Sequence, residues 1–342
     1  MKAARLHAYG DTVLHLEEVD DPAVRGPFDV IVRIGGAGLC RTDLHIMEGQ
    51  WQEKSGVTLP YTLGHENAGW VHAVGSAVDN VAPGDPVIVH PLVTCGLCRP
   101  CRAGDDMHCR AGIFPGIGAD GGFAEYLLTS ARSVVKLDPS LAPADVAALA
   151  DAGLTAYHAV KKAVPLLYPG TKVVVIGAGG LGHIGIQCLK ALTPAEVVVV
   201  DRSPAALELA QQIGADHTVP ADGSEIKAIL ELTDGAGVET VLDFVGEGGA
   251  IEDGVAMLRR AGTYHVIGYG GRLDVPAIDI ISTEISFVGD LVGTYNDLTE
   301  LMTLAAQGRV ALHTCTYPLD AVNDAVADLD GGRVRGRAIL VP

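Results

Sequence analysis

The sequence predicts a two-domain α/β protein, in which a β-rich N-terminal part precedes a doubly wound parallel sheet. The chain has 342 residues, and a typical domain has about 150. The first part contains short β-branched runs interrupted by Gly and Pro, as in a bent antiparallel unit. After Ala152 apolar runs alternate with helical patterns, which is typical of a parallel sheet covered by helices on both faces.

The individual elements follow from these patterns. In the first part, antiparallel strands are expected at residues 29–34, 69–74 and 86–89. In the second part, parallel strands are expected at residues 172–176, 196–200, 238–245, 262–267 and 285–291. Helices are expected between them, among others at residues 181–192 and 204–213. Two late runs, 314–318 and 338–341, are predicted to be strands of either domain.

The composition excludes several classes of protein. Hydrophobic residues make up 48% and charged residues 19%, so a large core is expected and disorder is not. The formal net charge of −18 disfavours binding to nucleic acid or to anionic membrane surfaces. We find no apolar run suited to a signal peptide or a membrane span. A cytoplasmic protein that binds neither nucleic acid nor membranes is therefore expected.

A glycine-rich segment directly after the first parallel strand predicts a dinucleotide site. Its candidate contacts are Gly177, Gly179, Gly180, Leu181 and Gly182. Glycines at this spacing let a diphosphate approach the amides of a helix N-terminus, whereas the alternative is a packing turn without a ligand. Asp201, after the next strand, is placed to bind a ribose and to repel the extra phosphate of NADP. NAD is therefore the predicted cofactor, although the neighbouring Arg202 could turn toward such a phosphate.

Four cysteines in one short segment predict a structural zinc site. Cys95, Cys98, Cys101 and Cys109 have the spacing C-x2-C-x2-C-x7-C, and four thiolates can close a tetrahedral shell around zinc. The alternative is an iron–sulfur cluster, but the ferredoxin run has three residues before its last cysteine and a proline after it. A complete thiolate shell leaves no position for a substrate. Two other cysteines, Cys188 and Cys315, fall within helix and strand patterns and are expected in the core.

Three further segments contain residue types that bind metals, but their spacing does not bring them together. The first contains Cys40, the second contains His65 and Glu66, and the third contains Asp151. A lone cysteine is usually a small core residue, and a lone histidine is usually a satisfied polar group. The residues alone therefore leave a second metal site open.

The order of these motifs over essentially the whole chain resembles the zinc-containing medium-chain alcohol dehydrogenases. The resemblance implies a GroES-like catalytic zinc domain over residues 1–151 and 312–342, and a Rossmann NAD-binding domain over residues 152–311. It also implies a catalytic zinc ion held by Cys40, His65 and Asp151, with Glu66 as the nearest substitute ligand. Many members have Cys where this chain has Asp151, and a Cys/His/Asp set resembles the secondary-alcohol branch.

The resemblance further implies how protons and cofactor are handled. Asp43 would hold the second imidazole nitrogen of His65, although it could equally cap the helix that follows. A zinc-bound alkoxide would form as the alcohol proton passes from Thr42 through the cofactor ribose to His45. Additional cofactor contacts are expected from Arg41, Thr155, Leu291, Val292 and Arg337. A mainly apolar substrate pocket is expected from Trp51, His90, Pro91 and Phe114.

These implications predict an NAD(H)-dependent alcohol dehydrogenase with two zinc ions per chain. Its substrates would be neutral primary or secondary alcohols and the matching aldehydes or ketones. Three alternatives remain: a polyol dehydrogenase of the sorbitol type, a zinc-free quinone or enoyl reductase of the same fold, and a non-catalytic nucleotide- and zinc-binding protein. The family also suggests a homodimer or homotetramer through the edge strand at residues 285–291.

Overall fold

The computed structural model describes all 342 residues and confirms the α/β fold class. The residues form two compact units. Unit 1 comprises Met1–Leu154 and Gly293–Pro342, and unit 2 comprises Thr155–Val292. These units are defined by spatial contact, and the domain limits expected after residues 151 and 311 remain a prediction. None of the helices combines the length and the hydropathy needed to cross a membrane.

Strands and helices follow one another along the whole chain. Strands β1 to β16 are Lys2–Leu6, His15–Glu18, Asp29–Leu39, Tyr61–Thr62, Glu66–Val74, Pro86–Val89, Tyr126–Ser130, Val134–Lys136, Lys172–Ile176, Glu196–Asp201, His217–Pro220, Val238–Asp243, Leu258–Val266, Ser286–Gly289, Thr314–Pro318 and Arg337–Val341. Helices α1 to α12 are Arg41–Met47, Gln52–Ser55, Arg99–Ala103, Pro143–Val146, Ala152–Ala163, Gly182–Leu192, Pro204–Gln212, Glu225–Leu232, Ala250–Met257, Ala277–Thr283, Tyr295–Ala306 and Val322–Asp330. Short 3₁₀ helices cover Asp106–His108, Ala147–Ala150, Val164–Leu166 and Leu319–Ala321.

Unit 1 is built on a largely antiparallel sheet. Its strand order is β15-β16-β3-β5-β6-β8, with β7 also paired to β3, and β1 forms a smaller sheet with β2 and β4. The strands expected at 29–34, 69–74 and 86–89 are β3, β5 and β6. Both late runs join this sheet as β15 and β16, which pair in parallel. The long strand β3 carries the buried side chains that organise the core of this unit.

Unit 2 contains six parallel strands in the order β11-β10-β9-β12-β13-β14. Numbered along this unit, the order is 3-2-1-4-5-6, that of the doubly wound dinucleotide-binding folds. The direction of winding reverses between β9 and β12, and such sheets bind their ligands at the carboxyl ends of the strands at this point. The sequence did not predict β11, because its four residues include a proline and a histidine and lack a clear apolar period.

The two cysteines assigned to the core behave differently. Cys188 lies on α6 and is fully buried. Cys315 lies on β15 at the edge of its sheet and is partly exposed, so its assignment to the core was wrong. Alternate residues of an edge strand face solvent, and a short apolar run cannot distinguish an edge position from an interior one.

Candidate active site and metal centres

Strand pairing brings the second set of metal-binding residues together. Cys40 follows the last residue of β3, and His65 precedes the first residue of β5. Because these strands are antiparallel with Gly38 opposite Glu66, their ends meet. Asp151 directly precedes α5 in the same unit. One ligand atom from each of Cys40, His65, Glu66 and Asp151 lies within 4.8 Å of the others.

The geometry of this cluster fits a tetrahedral divalent cation. The Nε2 atom of His65 lies 3.5 Å from Oδ2 of Asp151. Two donors bound to zinc at about 2.1 Å in a tetrahedron lie about 3.4 Å apart. The Nε2 atom of His65 and Oδ1 of Asp151 are buried without a hydrogen-bond partner. Such atoms are costly to leave unpaired, and a cation at the centre would satisfy those that face it.

The electrostatics of the cluster also favour a cation. Burial raises the pKa of Asp151, although the nearby His65 opposes this shift. Burial likewise raises the pKa of Glu66, against the opposing charge of Arg337. For His65 burial acts to lower the pKa, but the attraction of Asp43 and other acceptors outweighs it and the pKa rises well above its usual value. The buried acids thus carry charge at a high cost, and a metal ion that binds there offsets that cost by displacing protons.

Asp43 serves two purposes at once. Its Oδ2 accepts a hydrogen bond of 2.8 Å from the backbone N–H of Cys40 and so closes the N-terminus of α1. Its Oδ1 lies 3.2 Å from Nδ1 of His65. The two alternatives from the sequence, a helix cap and a partner for His65, are therefore compatible. The contact at Nδ1 leaves Nε2 of His65 directed toward Asp151.

Glu66 lies beside the ligand atoms and is paired with a buried arginine. Its Oε1 accepts a hydrogen bond of 3.1 Å from the N–H of Ala152, and its Oε2 forms an ion pair with Arg337. The Arg337 side chain is only 4% exposed. The sequence assigned this arginine to the cofactor diphosphate and gave no sign of its contact with Glu66. A Cβ at Gly38 would collide with Oε2 of Glu66, so this close approach requires glycine.

The two residues expected in the proton path lie on one short helix, together with Arg41, an expected cofactor contact. Arg41, Thr42 and His45 belong to α1, directly after Cys40. Arg41 is exposed, while Thr42 and His45 are half-buried. The helix therefore connects the buried metal cluster with residues that reach the surface of unit 1.

The residues expected in the substrate pocket occupy different environments. The ring of Phe114 lies 5.9 Å from that of His65 in an edge-on arrangement, which places it at the metal cluster. Trp51 is half-buried and packs against the core of unit 1. Pro91 is buried. His90 is also buried, and its Nε2 lies 3.0 Å from the carbonyl oxygen of Gly293, so this nitrogen is engaged by the backbone.

The four-cysteine segment forms a second compact cluster, with one Sγ atom of each residue within 4.8 Å of the others. The Sγ of Cys98 lies 3.5 Å from that of Cys101 and 4.0 Å from that of Cys109. Four sulfurs at about 2.3 Å from a tetrahedral zinc ion are about 3.8 Å apart, so the arrangement fits zinc. Backbone N–H groups of Leu97 and Cys98 lower the pKa of Cys95 to about 6. Burial and hydrogen bonding to Cys98 raise the pKa of Cys101 to about 12.

The glycine-rich segment of unit 2 has the conformation that the sequence predicted. It begins after β9 with Gly177 at a positive φ of 88° and continues into α6 at Gly182. A Cβ at Gly182 would collide with the carbonyl oxygen of Gly177, so helix and strand approach closely at this turn. Asp201 ends β10, and its Oδ2 accepts a hydrogen bond of 2.7 Å from the N–H of Ala178. The carboxylate is thus held next to the glycine-rich turn.

A cavity of ≈ 270 Å³ opens between Gly177 and Asp201 at the carboxyl ends of the strands. It is also lined by Glu225, Glu247 and Asp253, which the sequence analysis did not identify. Burial, followed by repulsion from Glu225 and Glu252, raises the pKa of Asp253. Glu247 and Asp253 follow the strand predicted at residues 238–245, which is a weak signal in a chain with 42 acidic residues, and Glu225 follows a strand that the sequence did not predict.

The other expected cofactor residues of unit 2 are less distinctive. The guanidinium of Arg202 donates a hydrogen bond of 2.7 Å to the carbonyl oxygen of Gly248. Thr155 is buried, whereas Leu291 is 59% exposed. Val292 has a positive φ of 49°, which is uncommon for a β-branched residue.

Comparison with known proteins identifies the family. The model of the alcohol dehydrogenase GroES-like domain matches residues 26–139, and that of the zinc-binding dehydrogenase domain matches residues 180–307. A D-arabinose 1-dehydrogenase (NADP(+)) of Saccharolobus solfataricus is 38% identical, covering 100% of this chain and 97% of the relative. An NAD-dependent alcohol dehydrogenase of Sulfurisphaera tokodaii is 36% identical over the full length of both chains.

A solved structure agrees with this assignment. The crystal structure of the alcohol dehydrogenase from Aeropyrum pernix superposes with a TM-score of 0.97 and 50% identity, covering 100% of both chains. The GroES-like and Rossmann folds expected from the resemblance are thereby confirmed. The chain is an enzyme that belongs to the zinc-containing medium-chain alcohol dehydrogenase family.

Proposed function

We propose that this enzyme is a zinc-dependent, NAD(H)-linked dehydrogenase that interconverts neutral alcohols and the matching aldehydes or ketones. The observation that carries the proposal is the convergence of Cys40, His65 and Asp151 on one buried point, with His65 and Asp151 at the separation that two ligands of a tetrahedral zinc ion have. Three protein ligands leave a fourth position for a substrate oxygen. Zinc bound there supplies Lewis-acid chemistry, which lowers the pKa of a hydroxyl group in that position.

The surrounding residues orient the ligands and balance their charge. Asp43 contacts Nδ1 of His65 and so reserves Nε2 for the metal. Glu66 stands within reach of the same point and is neutralised by Arg337. We assign Glu66 as the reserve ligand, whose carboxylate would replace that of Asp151 at the metal. Phe114 contributes an apolar wall next to His65, which suits an uncharged substrate.

A proton must leave the buried centre when an alcohol is oxidised. The half-buried Thr42 and His45 lie on α1 between the cluster and the surface of unit 1. We assign the Thr42 hydroxyl to the first transfer of the alcohol proton and the His45 imidazole to the release of that proton, because an imidazole exchanges protons near neutral pH.

NAD is the proposed cofactor, bound along the glycine-rich turn of unit 2. Asp201 is held beside the glycine-rich turn, where we expect its carboxylate to accept hydrogen bonds from a ribose diol and to oppose the additional phosphate of NADP. Arg202 lines the same cavity, and its guanidinium donates a hydrogen bond to the carbonyl oxygen of Gly248. Arg41, Arg337, Thr155, Leu291 and Val292 remain the proposed additional contacts. The second proposed zinc ion, held by the four cysteines, has a structural role.

Two measurements test this function together. Metal analysis of the purified enzyme should find two zinc ions per chain, and NADH absorbance should rise with primary or secondary alcohols as substrates. One zinc ion and no alcohol-dependent NADH would instead favour a non-catalytic binding protein. An enzyme without zinc that oxidises NADPH would favour a quinone or enoyl reductase.

A second candidate substrate class is polyols or sugars. It is favoured by the 38% identical relative named as a D-arabinose dehydrogenase, whose name also specifies NADP. A panel of simple alcohols, aryl alcohols, polyols and aldoses, each with NAD and with NADP, separates the two candidates. A preference of kcat/KM for the polyols and aldoses would move the assignment to that branch.

The proposed assembly is a homodimer or homotetramer in a cytoplasmic setting. The strand β14 lies at the edge of the unit 2 sheet, and the helix α10, which precedes it in the chain, exposes Ile278 and Ile281. An unpaired strand edge and exposed apolar side chains are each suited to contact with a second copy. Light scattering of the purified protein would determine the number of subunits.

A further inference from the structure

The carboxylate of Asp243 is a buried group that the proposed reaction does not use. Asp243 is the last residue of β12 and is fully buried. It accepts three hydrogen bonds, from the N–H of Val245 at 2.8 Å, the N–H of Gly246 at 3.0 Å and the hydroxyl of Tyr264 at 2.5 Å. One carboxylate thus ties together the end of β12, the turn that follows it and the neighbouring strand β13.

The segment fixed in this way is the turn at residues 244–249, which we call the β12–α9 loop. Its Val245 lies so close to the glycine-rich turn that a Cβ at Gly177 would be 2.6 Å from the Val245 side chain. Val245 and Glu247 both line the cavity beside Asp201. The loop is therefore the wall that faces the glycine-rich turn across the dinucleotide site.

The far end of the loop is also held. The carbonyl oxygen of Gly248 accepts the hydrogen bond from Arg202, which follows β10. The loop is consequently anchored at its beginning by Asp243 and near its end by Arg202. A short segment that is held at both ends has little freedom to move between its anchors.

Tyr264 is placed so that its hydroxyl acts mainly through Asp243. Its ring is fully buried against α9, where a Cβ at Gly254 would be 2.6 Å from the ring. Burial and the charge of Asp243 raise the pKa of the phenol, so the hydroxyl remains a donor. The ring fills space in the core, and the hydroxyl completes the hydrogen bonding of the carboxylate.

We propose that Asp243 and Tyr264 are positioning residues for the cofactor, which they never touch. They hold the β12–α9 loop against Gly177 so that this wall of the dinucleotide site is formed before the cofactor arrives. A preformed wall removes the entropic cost of ordering the loop on binding. The inference rests on the proposed NAD(H) function.

The test is Tyr264→Phe, which keeps the ring and removes one hydrogen bond from a buried carboxylate. Loss of such a bond corresponds to about a tenfold change in an equilibrium. We expect the dissociation constant for NADH, measured by fluorescence titration, to rise about tenfold, and the KM for NAD to rise with it. The value of kcat should stay within about twofold of the wild-type value, because the reacting groups are untouched.

A matched control is available in unit 1. The hydroxyl of Tyr317 donates a hydrogen bond of 2.8 Å to Asp328, so Tyr317→Phe removes the same type of bond. This control should lose stability without any change in NADH binding. If Tyr264→Phe also binds NADH as tightly as the wild type, the pair is merely structural and the inference is wrong.

A second variant covers the case in which Tyr264→Phe fails to fold. Asp243→Asn retains an oxygen for the two N–H groups and presents an amide N–H to the oxygen of Tyr264. The neutral amide oxygen accepts weaker hydrogen bonds than the carboxylate, so we expect the dissociation constant for NADH to rise about threefold or more, whereas a value equal to that of the wild type would overturn the inference. Absence of NADH binding in the wild type would refute the proposed function itself. Normal wild-type binding with an unaffected Tyr264→Phe would refute only this inference.

Discussion

The two metal-binding clusters of unit 1 are built in opposite ways. The four cysteines come from one segment of the chain and are only partly buried. The second cluster draws Cys40, His65 and Asp151 from three distant segments, and its first two residues are almost completely buried. One cluster offers four chemically equal sulfur ligands, and the other mixes sulfur, nitrogen and oxygen beside charged groups. The four-cysteine cluster can therefore form within its own segment, whereas the cluster of Cys40, His65 and Asp151 forms only when the whole unit has folded.

The largest expected effect comes from the distant cluster. Replacing Asp151 by Ala removes a ligand and leaves His65 facing an incomplete shell, so kcat should fall by at least about a thousandfold. Metal content should drop toward one zinc ion per chain, while NADH binding persists because the glycine-rich turn lies in unit 2. Steady-state kinetics, metal analysis and NADH titration measure these effects. Asp145→Ala, an exposed acid on α4, is the control. Activity close to that of the wild type would show that Asp151 is not an indispensable ligand and that Glu66 can fill its position.

The next largest effect is on stability and comes from the local cluster. Cys98→Ser opens the thiolate shell, and structural zinc sites contribute folding free energy directly. We expect Tm to fall by roughly 10 °C, measured by thermal unfolding. Cys315→Ser changes a partly exposed cysteine on an edge strand and should leave Tm nearly unchanged. An unaltered Tm together with loss of one metal ion would contradict a structural role for this site.

A smaller effect separates the two contacts of Asp43. In Asp43→Asn the amide oxygen can still accept the hydrogen bond from Cys40, so the helix cap is retained. The negative charge facing Nδ1 of His65 is lost, and zinc affinity should fall by about 10- to 100-fold. Competition with a chelator measures the affinity, and thermal unfolding reports on the cap. A lower Tm with unchanged zinc affinity would mean that Asp43 acts only as a cap.

The smallest effect lies outside both clusters. Asp201→Ala removes the proposed ribose acceptor, and the preference for NAD over NADP in kcat/KM should narrow by about tenfold. Both metal sites should remain filled, which confines the effect to unit 2. Glu208→Ala removes an exposed negative charge from the neighbouring helix α7 and is the control for the change in net charge. An unchanged cofactor ratio would refute the ribose assignment.

The sequence was most informative where the structure is local. The strand at residues 172–176, the glycine-rich turn and the four-cysteine segment follow from spacing and composition, because their contacts lie within a few residues. The convergence of Cys40 and His65 depends on the strand register that places Gly38 opposite Glu66. Strand register cannot be read from the spacing of residues along the chain. For this reason only the family resemblance, and not the residues alone, identified the second cluster.

The same limit explains what the sequence missed. The ion pair between Arg337 and Glu66 joins residues more than two hundred positions apart, and the family resemblance implied only a cofactor contact for this arginine. Asp243 and Tyr264 belong to adjacent parallel strands whose pairing the sequence indicates only in outline. Partners across a sheet become visible only when strand order and register are known.

The position of β16 has a consequence for how the chain acquires its structure. This strand is the last in the chain, yet it lies between β15 and β3 in the interior of its sheet, and it carries the arginine that balances Glu66. During synthesis on the ribosome, the end of β3 at residues 37–39 stays unpaired on this side until β16 emerges, because β7 pairs only with residues 29–33. A nascent chain that stalls before β16 would expose an unpaired part of β3 and leave the Glu66 carboxylate without Arg337. Such an exposed strand edge is a suitable target for chaperones.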